Sequence, residues 1–199
     1  MSTDRDVIRQ AGDGDRAAVA TMLARAFAGD PAMTYLFPDR ATRPARLSRL
    51  MRLLYDSDGR GGMRLVTGAA EAATLWRGPT AANVGWGEVI ASLWPLLATF
   101  GPALPRALRL SRTIEAHFPP QPFWYLHVAG VEPALQRRGL GSAAIRAGLT
   151  RATADGMPAY LETATERNVR LYRSLGFEVT GEWQMPGNGP HFWSLMKSA

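Results

Sequence analysis

The stretch Gln136–Leu149, QRRGLGSAAIRAGL, sets two arginines ahead of two glycines and then runs into an apolar, alanine-rich segment. The alanine-rich part has helix composition, so Gly139 and Gly141 fall at a helix start. There the unpaired backbone N–H groups and the positive end of the dipole favour an anion, and the missing side chains let a phosphate come close. Arg137 and Arg138 add guanidinium forks that stay ionised and suit phosphate, and the Ser142 hydroxyl adds a donor. The turn Gln136–Ser142, with Leu140 between its two glycines, therefore reads as a phosphate or pyrophosphate site.

Two nucleotide-binding readings compete for these letters. A nucleoside-triphosphate loop needs Gly-Lys-Ser/Thr, and no lysine stands near; Lys197 is the chain's only one. Gly139-Leu140-Gly141-Ser142-Ala143-Ala144 does match the dinucleotide pattern G-x-G-x-x-A, and Glu162 follows where a ribose-binding acid would stand. The context argues against it: EPALQRR separates the glycines from the preceding strand, and too little chain remains for a second βαβ half.

Outward from the motif the pattern is sharp. FWYLHVAGVEP precedes it as an apolar strand, and MPAYLETA follows as another. ERNVRLYRSLGF is a helix closed by Gly176, and FEVTGEWQM and HFWSLMKS are strands joined by the loop PGNGP. Toward the N-terminus, a short strand over 6–9 leads to a helix carrying Val19, Met22, Leu23, Ala26 and Phe27 at helical spacing. RPARLSRLMRLLYDS is a second amphipathic helix with Leu47, Leu50, Met51 and Leu54 on one side, and GMRLVTGAAEAATLWRGP reads as a hairpin about Gly68. Residues 81–120 are rich in Trp, Leu and Pro and read as helical in pieces. Strand and helix periodicities taking turns along the chain predict one α+β domain over 1–199.

Composition bounds the function. The chain of 199 residues is 46% hydrophobic and 20% charged, as a folded globular protein should be. With no cysteine, disulfides, thiolate metal sites and a cysteine nucleophile are excluded. The net charge of +6 is spread over scattered arginines rather than one basic run, so no nucleic-acid partner is expected. ASLWPLLATFG is too short and too broken to span a bilayer, and MSTDRDVIRQ lacks a signal peptide's apolar core. The expectations are a cytoplasmic protein, no membrane partner, and a monomer or homodimer.

Gln136, Gly139 and Gly141 form Q-x-x-G-x-G, and with Asn168, Tyr172 and Leu175–Phe177 the chain resembles the GCN5-related N-acetyltransferases (GNAT). The resemblance is strong over residues 124–196 and looser before, and the LETA…RN…Y…LGF block looks most similar to the puromycin N-acetyltransferase branch. It implies a mixed, mainly antiparallel sheet splayed between the fourth and fifth strands and flanked by helices. It also implies direct transfer of an acetyl group from acetyl-CoA to an amine. Ala129, Gly130 and Val131 would lie against the pantetheine arm, and a glycine inside a strand fits such a close approach. Gln136 to Ser142 would hold the pyrophosphate, with Asn168 near the cofactor. Tyr172, one helical turn beyond Asn168, would be the general acid.

Two candidates stand for the base. His127, placed by two-residue alternation on one face with Tyr125 and Ala129, resembles a strand histidine of some arylalkylamine acetyltransferases, although the puromycin branch keeps none there. Glu162, at the end of AYLET, is the other. Each has an equally ordinary role as a packed, hydrogen-bonded side chain. His117 and His191 show no metal spacing and are assigned to surface or core. Trp86, Trp94, Phe100 and Phe118 are candidates for an apolar acceptor pocket. The acceptor expected is a small primary amine with an apolar or aromatic body, such as an antibiotic. The alternatives are a CoA-binding regulator that does no chemistry, or a peptide acetyltransferase.

Overall fold

The computed structural model describes residues 7–79 and 93–199, with side chains for 7–79 and 97–199. Among the described residues seven strands form one sheet: β1 Ile8–Gln10, β2 Gly62–Thr67, β3 Ala72–Arg77, β4 Trp124–Val131, β5 Ala159–Thr163, β6 Glu178–Gln184 and β7 His191–Lys197. Their spatial order is β1-β2-β3-β4-β5-β7-β6. Every neighbouring pair is antiparallel except β4 and β5. The helices are α1 Arg16–Ala26, α2 Pro31–Leu36, α3 Arg43–Gly61, α4 Leu93–Phe100, α5 Leu104–Glu115, α6 Leu140–Ala154 and α7 Glu166–Ser174. The expected α+β architecture and mixed sheet are therefore present. The first strand is displaced to Ile8–Gln10, Asp6 lies outside the described residues, and α3 runs past the expected 43–57 to Gly61.

The centre of the sheet is where the backbone departs from regularity. β4 and β5 pair only at Trp124–Ala159 and Tyr125–Tyr160, after which β4 runs on to Val131 alone. On its other edge β4 pairs Val128 with Leu75 but Leu126 with Trp76, so His127 is the extra residue of a bulge. The bulge breaks the alternation expected from the sequence. Trp124, Leu126 and Ala129 pack with Trp76, Ile145, Leu149 and Leu161 beneath α6 and α7, while Val128 packs with Leu23, Met51, Tyr55 and Leu75 beneath α1 and α3. His127 consequently shares surroundings with Tyr125, on which its ring stacks at 5.2 Å, but not with Ala129.

Two glycines set how closely the helices approach. A Cβ on Gly130 would lie 2.5 Å from Leu23 Cδ2 on α1, so this glycine serves the α1–β4 contact. A Cβ on Gly148 of α6 would lie 2.3–2.5 Å from the indole of Trp76, which is fully buried and cannot retreat. Gly148→Ala gains helix propensity yet overpacks this contact, and it should destabilise the fold by about 1–3 kcal/mol in urea denaturation. An unchanged or raised midpoint would show that the Trp76–α6 contact is loose.

Candidate active site

A cleft of about 1090 Å³ runs between the end of α1, the free end of β4, the loop after β4 and one face of α7. Ala129, Gly130, Val131, Gln136, Arg137, Gly139, Leu140, Gly141, Ser142, Asn168 and Tyr172 all line it. Residues from opposite ends of the cofactor-binding expectation thus share one space with the candidate acid. Arg138, His127 and Glu162 are outside that lining, Arg138 on the exposed side of the loop.

At one end of the cleft Gly139 caps α6 with φ 84°, a left-handed conformation that glycine adopts without strain. The first intrahelical bond runs from the Ala143 N–H to the Gly139 carbonyl at 2.9 Å. The N–H groups of Leu140, Gly141 and Ser142 precede that bond in the first turn, where an α-helix provides no partner for them. A Cβ on Gly139 would meet nothing within 4 Å, whereas one on Gly141 would lie 2.9 Å from Val131 Cγ2. The two glycines therefore answer different constraints: Gly139 shapes the turn on its open side, and Gly141 lets α6 approach β4. The Gln136 amide donates to the Val131 carbonyl at 3.4 Å and braces the loop from within. Arg25 of α1 pairs with Glu132 at 2.5 Å, fastening the opposite wall.

At the other end stands Tyr172, buried against Phe177 with ring centroids 5.9 Å apart. Burial, and then the negative charge of Asp30, push its phenol up to about 12, so it stays protonated at neutral pH. Asp30 caps α2, its Oδ1 accepting from the Ala32 N–H at 2.9 Å and the Met33 N–H at 3.1 Å. Its own pKa is raised by burial despite those bonds.

The two base candidates stand in different electrostatic surroundings. Nδ1 of His127 lies 2.8 Å from Asp58 Oδ2, and because a carboxylate only accepts, the ring proton sits on Nδ1. Arg77 Nε donates to the other Asp58 oxygen at 2.8 Å. Burial opposes charge on Asp58, but His127 and Arg77 more than offset it and hold its pKa below the ordinary carboxylate value. Burial and the Arg77 charge lower the His127 pKa despite Asp58, so the ring is neutral near pH 7. Glu162 Oε2 accepts from the Tyr125 hydroxyl at 2.8 Å, while its Oε1 is buried with no partner. Burial raises the Glu162 pKa to about 7, although Tyr125 and, after it, Tyr160 work to lower it.

Asp58, Arg77 and Tyr125 were not singled out from the sequence. Asp58 had a signal, because it continues the buried α3 stripe of Leu47, Met51 and Tyr55. A carboxylate on an apolar stripe needs a charged partner. Of the aromatic acceptor candidates, Phe100 packs on Phe37 at 5.9 Å, and Phe118 joins Phe123, Tyr125 and Tyr160 in a buried cluster. Trp86 and the side chain of Trp94 lie outside the described residues. His117 stacks on Trp183 at 4.2 Å, and His191 lies 3.5 Å from Glu182. Among the described residues no group of three His, Asp or Glu side chains is placed to hold a metal ion, and no helix is long and apolar enough to cross a membrane.

The model of the acetyltransferase (GNAT) family matches residues 108–177. Across the whole fold the chain is similar to a structure from Corynebacterium glutamicum described as histone acetyltransferase HPA2 and related acetyltransferase. That match has 24% identity and a TM-score of 0.73, over 97% of this chain and 96% of the other. It is similar also to the Drosophila melanogaster polyamine N-acetyltransferase, which forms N-acetylagmatine, at 16% identity and a TM-score of 0.61 over 97% and 99% of the chains. Arylalkylamine N-acetyltransferase 2 from Aedes aegypti matches at 12% identity and a TM-score of 0.62, over 96% and 98%.

A buried carboxyl with a raised pKa predicts a definite pH dependence of stability. Below its ordinary 4.5 Glu162 is protonated in both folded and unfolded chains. As the pH rises from 4.5 to about 7 the unfolded chain ionises first, and the folded state loses stability, about 3 kcal/mol for this shift. Glu162→Gln should therefore match the wild type near pH 4 and exceed it increasingly up to pH 8 in urea denaturation. A difference independent of pH would mean that the carboxyl is solvated.

Proposed function

We propose that this chain is an acetyltransferase of the GNAT type, transferring an acetyl group directly from acetyl-CoA to the primary amine of a small molecule; the family match over residues 108–177 and the shared fold support it. The observation that carries this is the single cleft joining the first turn of α6 to the protonated Tyr172 phenol along the free edge of β4. An acyl-CoA fits the residues present: the α6 N–H groups and Arg137 suit its phosphates, and the space beside Gly139 is one that a Cβ would fill. Arg138, on the exposed side of the loop, adds long-range attraction. Beyond Tyr125 the backbone groups of β4 that face β5 lack a strand partner, so Ala129, Gly130 and Val131 are available to an amide-bearing arm and to a thioester oxygen. Asn168 orients the ligand from α7, and Tyr172 holds a proton where a thiolate would leave. Acetyl-CoA supplies the activated acyl group, and the two base candidates flank the splay.

A small amine as acceptor is supported by the agmatine-forming and arylalkylamine enzymes that share this fold. The Corynebacterium glutamicum protein favours a second reading, acetylation of a lysine in a protein. Placement in the puromycin N-acetyltransferase-like branch rests on the sequence block alone.

A panel of polyamines, arylalkylamines, aminonucleosides and lysine peptides, assayed for acetyl-CoA-dependent thiol release, tests the acceptor. Robust activity on peptides with none on small amines would replace this reading with the second. Acetyl-CoA should raise the melting temperature, since a ligand selective for the folded state stabilises it. Gly139→Val should abolish that rise, while Gly141→Ala should lower the melting temperature of the free protein through Val131. Tyr172→Phe should slow turnover on the order of 10²-fold with acetyl-CoA affinity largely kept, and unchanged turnover would remove Tyr172 from the mechanism.

A further inference from the structure

We propose that Glu162 is the general base of this transfer and that Tyr125 is its positioning residue, held in place by the buried chain of Arg77, Asp58 and His127. The inference rests on the acetyl-transfer reading and assigns the proton acceptor that the cleft alone leaves open. Glu162 follows the last β4–β5 pair, Tyr125–Tyr160, by two residues, so it sits on β5 just past the point where the strands part and behind the residues that line the cleft. One oxygen is anchored by the Tyr125 hydroxyl at 2.8 Å, and the other is buried without a partner. An unpartnered buried carboxylate oxygen is costly unless a donor arrives to meet it, and an ammonium group is such a donor.

The neighbours of Glu162 leave that role to it. Tyr125 faces it from β4, Tyr160 shares its strand, and Ser194 lies opposite in register on β7. Tyr160 also helps hold down the Glu162 pKa, while its hydroxyl donates to the His117 carbonyl at 2.9 Å and meets the Ser194 hydroxyl at 3.0 Å. From β3, Arg77 acts on Tyr125 through its charge. His127 occupies the bulge, where its Nδ1–H is committed to Asp58 and its ring forms a 26° stack under Tyr125. Asp58 is held on its other oxygen by Arg77. The chain thus runs from a buried ion pair to the ring that aims the carboxylate, and His127 is a structural member of it.

The step balances. One ammonium proton passes to Glu162 Oε1 and on to water as the nitrogen lone pair forms the N–C bond. When the C–S bond breaks, sulfur takes the Tyr172 proton, and the second nitrogen proton restores the phenol. The products are an amide, a thiol and one released proton.

The test uses the intact protein labelled with carboxyl-¹³C glutamate. Glu162→Gln identifies the resonance, which should titrate near 7 in the wild type. Tyr125→Phe, isosteric but without the donor, should move that midpoint up by roughly one unit, because a hydrogen bond to the charged form is lost. His127→Asn, which keeps a donor for Asp58, should leave it within a few tenths. In turnover, the ascending limb of the pH profile should follow the same midpoint in wild type and Tyr125→Phe. It should vanish in Glu162→Gln and persist in His127→Asn. A Glu162 midpoint in the ordinary range, a Tyr125→Phe midpoint that does not move, or a limb erased by His127→Asn would overturn this inference alone. Absence of transfer to every amine would overturn the proposed function together with it.

Discussion

The divergence of β4 from β5 is the constraint on which the rest of the molecule turns. A parallel pair normally continues for the length of its shorter strand, since each residue adds ladder bonds. Here the pairing stops after two residues, at Tyr125–Tyr160, and β4 runs on for six more. The unpaired length creates an edge inside the sheet, which elsewhere would invite aggregation but here is walled by α1 and α7. Its polar backbone groups face the cleft without a strand partner.

The bulge at His127 is the complementary irregularity on the other edge of the same strand. It turns Leu126 and Ala129 into one core and Val128 into the other, so the two faces remain fully packed although the strand is interrupted. It also directs an imidazole toward Asp58 of α3 and away from the cleft. An ion pair as buried as Arg77–Asp58 brings little net stability, since desolvation consumes most of the Coulomb gain. Its worth lies in geometry: with both carboxylate oxygens engaged, the His127 ring and the Tyr125 ring above it have a single arrangement.

Electrostatics divides the site in two. The α6 end presents positive partial charge and guanidinium groups in a solvated setting, suited to anions. Toward the splay and α7, burial dominates and raises the pKa of Glu162, Tyr172 and Asp30 alike. Chemistry that moves a proton at neutral pH belongs at the second end, for physical reasons independent of any resemblance.

The sequence by itself determined the local elements around its motif. QRRGLGSAAIRAGL specified a glycine-capped helix start, ERNVRLYRSLGF a helix bearing Asn168 and Tyr172 one turn apart, and PGNGP the loop between the last two strands, because each depends on contacts within a few residues. Those signals sufficed for an α+β fold and for the β4, α6 and α7 sides of the cleft, but not for its wall from Arg25 to Pro31. Only the tertiary structure decided the faces of β4, because a bulge is a mismatch between two strands and leaves no mark in the periodicity of either. It alone brought Asp58 and Arg77 to His127, and Tyr125 to Glu162, across 19 to 69 residues of chain. The pKa of a carboxylate is set by what surrounds it after folding, so Glu162 was readable in sequence as a candidate and became distinguishable from His127 only once its burial and its free oxygen were in view.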